Sequence, residues 1–405
     1  MERSKDQIIE DLNKHGLTKK NKPLITNLML NGPPHKDRKL IWLETSGARL
    51  QMKTNPNYYS AIVEDKLKIK TEFSQQIDRD LHRTFPAESY FVEEKHLTSL
   101  RKILVAYSWR NPTVGYCQGL NFLVGRLLTV GFSEEECFWL LAQIIEAYLP
   151  NDYFSVMTGV IIDQQVFQVL LKNKLPKMAK HLSSIGIDAS LYTVHWLVCM
   201  FAYTFPKNVV MRIWDIFFIE GSVFLFKIGL SLMWIFRKEI TKITDFNEAF
   251  RFLEFQSQNI ADPDIILGLA ISMKSINSKT IDKLREKLRI QSQDETTCND
   301  SVSTEDSAKS YTEICTDESE CELKSKQECS YFTFRSTSGV SIIDEYINDS
   351  NVPKVVDLAN TIDNDKNLVI GCKNHACPIK QSSSVIRGDI EEAYNGLRND
   401  QNEIS

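Results

Sequence analysis

Glycine and proline are scarce, 16 and 12 in 405 residues. That leaves no material for a long Pro/Gly-rich linker and excludes a collagen-like chain. The nine cysteines are an odd number with no spacing of a disulfide scaffold, and six of them fall after residue 290. A reducing, cytoplasmic setting is the expectation. No apolar run is long and clean. The stretch 213–236 is interrupted by Asp215, Glu220, Gly221 and Lys227, and 191–206 is short and holds His195. A membrane span wants ~20 uninterrupted apolar residues, so both read as buried helices. The opening Met1-Glu2-Arg3-Ser4-Lys5-Asp6 has no apolar core of a signal peptide. Neither end carries a lipidation motif.

Self-contained chemistry is missing too. There is no Gly-x4-Gly-Lys-Ser/Thr loop to cradle a nucleotide, no Gly-x-Ser-x-Gly elbow and no His-Glu-x-x-His. Cys372 and Cys377 flank His375, but a second ligand pair is lacking, so no metal is expected. Cys117 lacks a Cys-x5-Arg context and reads as a buried helical thiol, like Cys137 and Cys199. Lysines and arginines are dispersed, without the aromatic-interleaved stripe of a nucleic-acid binder.

What is present is helix. Hydrophobic residues make up 42% and charged residues 25%, ordinary for a globular protein. Leu97, Leu100, Ile103, Leu104 and Tyr107 recur at helical spacing, as do Phe138, Leu141, Ala142, Ile145 and Leu149 behind a Ser133…Glu136 capping box. Residues 116–130, 191–205, 207–219, 222–238, 245–257 and 263–272 read as further helices, and Ile281, Leu284 and Leu288 mark a last stripe. Gly32-Pro33-Pro34, Asn55-Pro56-Asn57 and Phe85-Pro86 break the chain. No alternating run suggests a strand, and no repeat suggests a solenoid. The fold class is all-α, one large multi-helix domain followed by a disordered acidic tail. The expected division is a lead segment (1–30), the domain (31–260), a helical extension (261–290) and a Ser/Thr-rich tail (291–405). The tail holds 22 Asp+Glu against 10 Lys+Arg, a net of −12, which leaves +7 on the body. So polar a stretch buries too little surface to offset chain entropy. Its short apolar clusters at Ile342-Ile343, Val355-Val356 and 368–370 are candidates for binding other proteins.

Three segments carry more signal together than apart: Arg38-x3-Trp42; Ile77-x2-Asp80-x2-Arg83 followed by Thr84-Phe85-Pro86; and Tyr116-Cys117-Gln118-Gly119-Leu120-Asn121. Arg212-Ile213-Trp214-Asp215 with Glu220-Gly221 follows downstream. In order and spacing these resemble the TBC domain, the GTPase-activating module for Rab-family small GTPases, and the context is similar to that of the growth-hormone-regulated TBC subgroup. Leu120 departs from the methionine common in that family, a conservative swap.

Asp80 and Arg83, three apart, share one helix face, where a carboxylate can hold a guanidinium in a fixed pose. On its own this is an ordinary surface pair worth under ~1 kcal/mol. Gln118 offers both an amide donor and a carbonyl acceptor, and Gly119 permits a close backbone approach. The resemblance implies that Arg83 and Gln118 act in trans as arginine and glutamine fingers on a GTP-bound Rab. Asp80, Tyr116, Gly119 and Asn121 then support them, while Arg38, Trp42, Ile77, Arg212, Trp214 and Asp215 are architectural. It further implies that GTP and Mg²⁺ belong to the partner and that the chain needs no cofactor of its own. Control of vesicle traffic and transient association with endomembranes are the corresponding expectations. A non-catalytic Rab-binding adaptor or scaffold is the alternative.

Overall fold

The computed structural model describes residues 4–300, with side chains as far as Ser292. The expectations for the tail, including Cys372, His375, Cys377 and the short apolar clusters, lie outside the described residues. Among the described residues there are eighteen α-helices and no strand. The chain begins with α1 (Lys5–His15), α2 (Lys22–Leu30), α3 (His35–Ser46), α4 (Ala48–Thr54), α5 (Tyr58–Lys66) and α6 (Glu72–Leu81). It continues with α7 (Glu94–Arg110), α8 (Leu120–Val130), α9 (Glu134–Gln143), α10 (Thr158–Lys174), α11 (Pro176–Ser184) and α12 (Ala189–Val198). The last are α13 (Lys207–Glu220), α14 (Val223–Ile235), α15 (Arg237–Ile240), α16 (Phe246–Phe255), α17 (Pro263–Ser272) and α18 (Ser278–Asp300).

Helix starts follow local chemistry. Ser133 accepts from the Glu136 amide while Glu136 reaches back to Ser133, the expected capping box. Thr71 and Ser74 do the same for α6. The predicted breaks separate α2 from α3 and α4 from α5. Two expected helices differ from the prediction. The run 116–130 is helical only from Leu120, so Cys117 stands in a loop rather than on a helix. The run 191–205 stops at Val198, because Met200 and Phe201 adopt left-handed backbone at φ 46° and 61°. Gly119 stands at the first of these boundaries, whereas the stop at Val198 has no Gly or Pro to announce it.

Two helices are buried almost all round. Ten of the eleven residues of α8 are buried, and so is every residue of α14 from Val223 to Met233. A helix buried on all faces is the centre of a large core rather than its amphipathic surface. Aromatic rings fill the space around it: Trp42 packs against Phe132, Trp214 and Phe218 with centroids 5.1–5.9 Å apart. Gly125 lets α8 pass close to the chain leaving α6, since a Cβ there would lie 2.9 Å from Thr84 Cγ2. Beyond α16, α17 packs on α14, burying Ile266, Leu267, Leu269 and Ala270.

Candidate functional site

The site begins at the C-terminal end of α6. Ile77 is fully buried and anchors the helix face that also carries Asp80. Arg83 leaves the helix end two residues after Leu81. Its Nε donates to Asp80 Oδ1 at 2.9 Å, and Nη2 lies 2.7 Å from the same oxygen. The Asp80 side chain is 5% exposed and that of Arg83 28%. The carboxylate is thus inside, and the guanidinium reaches outward. Among the described residues, Arg83 Nη1 has no hydrogen-bond partner.

The second Asp80 oxygen belongs to another part of the chain. Tyr116 Oη donates to Oδ2 at 2.7 Å from 36 residues away. Burial, then the Asp80 charge, pushes the Tyr116 phenol well above its ordinary range, so it stays a neutral donor. Tyr116 opens the loop that presents Gln118, whose partly buried side chain makes no hydrogen bond among the described residues. One carboxylate therefore ties the arginine to the loop that carries the glutamine.

A second set of bonds braces the same junction. Thr84 Oγ1 donates to the Asp80 carbonyl at 2.8 Å, and Asn121 Nδ2 donates to Thr84 Oγ1 at 2.8 Å. Asn121 Oδ1 accepts from the Gly119 amide at 3.1 Å. The fully buried Asn121 is thus a brace between the two loops, not a surface contact. Gly119 has φ +114°, a conformation that side-chain residues rarely adopt. A Cβ there would also stand 2.6 Å from Val198 Cγ1, at the end of α12.

Cys117 is held as a neutral thiol. Burial, reinforced by the Asp80 charge, pushes its thiol up to about 12, so the reactive thiolate is absent near neutral pH. Burial does the same to Cys199, also to about 12. Among the described residues no group of His, Cys, Asp and Glu is placed to hold a metal.

The architectural residues converge on one carboxylate. Asp215 on α13 is fully buried. Arg38 grips it with two bonds, Nε to Oδ1 at 2.8 Å and Nη2 to Oδ2 at 3.0 Å, and Trp42 Nε1 adds a third at 2.9 Å. Arg212 Nη1 lies 3.4 Å from Oδ2, and its guanidinium also donates to the Met29 and Leu30 carbonyls at the end of α2. Trp214 Nε1 donates to the Met200 carbonyl at 3.0 Å, fixing the sharp turn behind Cys199. That turn forms the wall against which Gly119 closes.

One contributor was not singled out from sequence. Arg126 on α8, 3% exposed, bonds Glu88 at 2.6 Å and the Ala202 carbonyl at 3.0 Å, with its guanidinium 4.0 Å over the Phe85 ring. The signal was available, since an arginine inside a solid apolar helix must be paired.

The geometry defines a class: a helical domain without a nucleotide loop of its own, presenting an arginine and a glutamine from two loops tied by one aspartate. The chain belongs to the Rab-GTPase-TBC domain family, whose model matches residues 35–241. It is 35% identical over 274 residues to growth hormone-regulated TBC protein 1-A of Danio rerio, covering 64% of this chain and 74% of that protein. It is 33% identical over 265 residues to human TBC1 domain family member 2A, covering 64% of this chain but 29% of the relative. The chain thus spans under a third of the length of that larger protein. Among solved structures, the Chlamydomonas flagellar RabGAP TBC domain superposes with TM-score 0.59 at 27% identity, covering 65% of this chain and 89% of that one. No helix among the described residues is long and apolar enough to cross a membrane.

Proposed function

We propose that this protein is a GTPase-activating protein for a Rab-family small GTPase, supplying Arg83 and Gln118 in trans. The observation that carries the reading is the shared Asp80, which holds the Arg83 guanidinium and, through Tyr116, the Gln118 loop. Phosphoryl transfer to water needs positioning and charge stabilisation rather than a covalent intermediate. Arg83 contributes a planar, permanently charged fork for the oxygens that gain charge in the transition state. Gln118 contributes an acceptor to orient the attacking water and a donor to the phosphoryl group. Preorientation by Asp80 reduces the side-chain entropy lost when the guanidinium docks. GTP and Mg²⁺ are carried by the partner, so the chain hydrolyses no nucleotide on its own.

An arginine finger contributes about 10³–10⁵ in rate, or roughly 4–7 kcal/mol of transition-state stabilisation. The test is phosphate release from a panel of GTP-loaded Rabs with wild type, Arg83→Ala and Gln118→Ala. Acceleration by wild type that both variants lose supports the reading and names the substrate. Binding of GTP-loaded Rabs without acceleration replaces it with the adaptor reading. In cells the consequence is control of vesicle traffic, with peripheral, Rab-dependent residence on endomembranes. The acidic tail is then free to recruit other proteins.

A further inference from the structure

We infer that Arg289 on α18, together with Asp152, is a positioning residue that holds the Gln118 loop through Met157. The inference rests on the reading of Gln118 as a finger.

Between α9 and α10 the chain runs through a short irregular segment, 150–157, that lies beside the glutamine loop. Met157 ends it in left-handed backbone, φ 59°, and its sulfur meets the Cys117 thiol at 3.9 Å. Cys117 is the residue before Gln118. The neutral, partly buried thiol and the thioether make an apolar contact, so Met157 walls the loop on one side while Val198 and Cys199 wall it at Gly119.

Segment 150–157 is itself clamped from α18. Arg289 Nη1 and Nη2 reach the two Asp152 oxygens at 2.6 and 2.9 Å. The Asp152 carbonyl accepts from the Gly159 amide at 3.2 Å, and a Cβ at Gly159 would lie 2.9 Å from Asp152 Oδ1. One turn back on α18, Arg285 grips Asp163 with bonds of 2.7 and 2.8 Å. Arg285 and Arg289 are four apart, as are Gly159 and Asp163, so the two helices meet in register. Arg289 also holds the Asp152 carboxyl below its usual range by hydrogen bonding. Arg285 fixes where α18 lies, and Arg289 extends that grip to the segment carrying Met157. Removing Arg289 alone leaves Arg285 on Asp163 and the buried Tyr153 and Phe154 in place, and takes away the grip on Asp152. Both arginines lie beyond residue 241, where the family match ends.

The test compares Arg289→Gln, Asp152→Asn, the double variant, Arg289→Lys and Met157→Gly in the full chain. Glycine at 157 removes the sulfur contact while accepting the left-handed backbone. The readouts are kcat and KM on the responsive Rab and amide exchange at 117–120. The expected result is roughly tenfold lower kcat for Arg289→Gln, short of the ~10²-fold that a 1 Å misplacement costs, with KM nearly unchanged. Asp152→Asn and the double variant fall no further, because the pair acts as a unit. Arg289→Lys recovers much of the loss, and Met157→Gly reproduces it. In a Gln118→Ala background Arg289→Gln has no further effect, which a purely structural role would not produce. Exchange at 117–120 accelerates while the α14 amides stay protected.

Unchanged kcat and unchanged exchange overturn the inference. So does an equal loss in the Gln118→Ala background. If no Rab responds to wild type, the GTPase-activating reading fails on its own, and exchange at 117–120 still decides whether the clamp controls the loop.

Discussion

Asp80 has two carboxylate oxygens, and each is taken by a different part of the chain. Tyr116→Phe keeps the ring and removes one hydroxyl. It leaves a buried charged oxygen short of a donor, which costs ~1–3 kcal/mol. Because the same bond fixes the glutamine loop, stimulated GTP hydrolysis should fall more steeply than the melting temperature; thermal melts run beside phosphate release check this. His195 gives a pH prediction. Burial lowers its imidazole to about 4, against an ordinary 6.5. The unfolded chain therefore takes up that proton first as pH falls. The contribution of neutral His195 is complete above pH 6.5 and is lost on descent toward pH 4. The shift corresponds to at most ~3 kcal/mol. Denaturation midpoints at pH 7 and pH 5 should differ, and by less in His195→Gln.

At the scale of elements, the end of α12 and the start of α8 close on each other at Gly119. Gly119→Ala places a Cβ 2.6 Å from Val198 Cγ1 in a backbone conformation with φ +114°. Adding Val198→Ala removes the clash but not the backbone strain, so the double variant should recover part of the lost activity and no more. The Asp80–Arg83 half of this site was legible because the two are only three residues apart, and so short a spacing reports local geometry even though Arg83 lies just past the end of α6. Tyr116 was legible only as part of a motif, since nothing in spacing says that its hydroxyl reaches Asp80. The expected helix over 116–130 starts only at Leu120, because Gly119 at φ +114° breaks the helical backbone there. Met200 and Phe201 turn the chain without glycine or proline, held by the Trp214 bond to the Met200 carbonyl. A tertiary contact supplies there what local propensity does not.

For the molecule as a whole, the Asp215 hub and the α14–α17 contact govern stability. Arg38→Ala leaves the fully buried Asp215 carboxylate with only the Trp42 bond and the longer Arg212 contact, and should destabilise by up to ~3–5 kcal/mol in chemical denaturation. A chain ending at residue 260 loses the four buried side chains of α17 and uncovers α14. At ~1.5–3 kcal/mol for each of Ile266, Leu267 and Leu269, with Ala270 adding less, that loss rivals a typical total stability of ~5–15 kcal/mol. Such a chain should precipitate or melt early, whereas one ending at 292 should melt like the full protein. The hub also sets a clock on synthesis. Arg38 and Trp42 leave the ribosome 177 and 173 residues ahead of Asp215, the carboxylate they share. At ~5–20 residues per second that is roughly 10–35 s. For that interval the Arg38 guanidinium and Trp42 indole of the nascent first half wait without their native acceptor, so α3 cannot reach its final packing until α13 has been made.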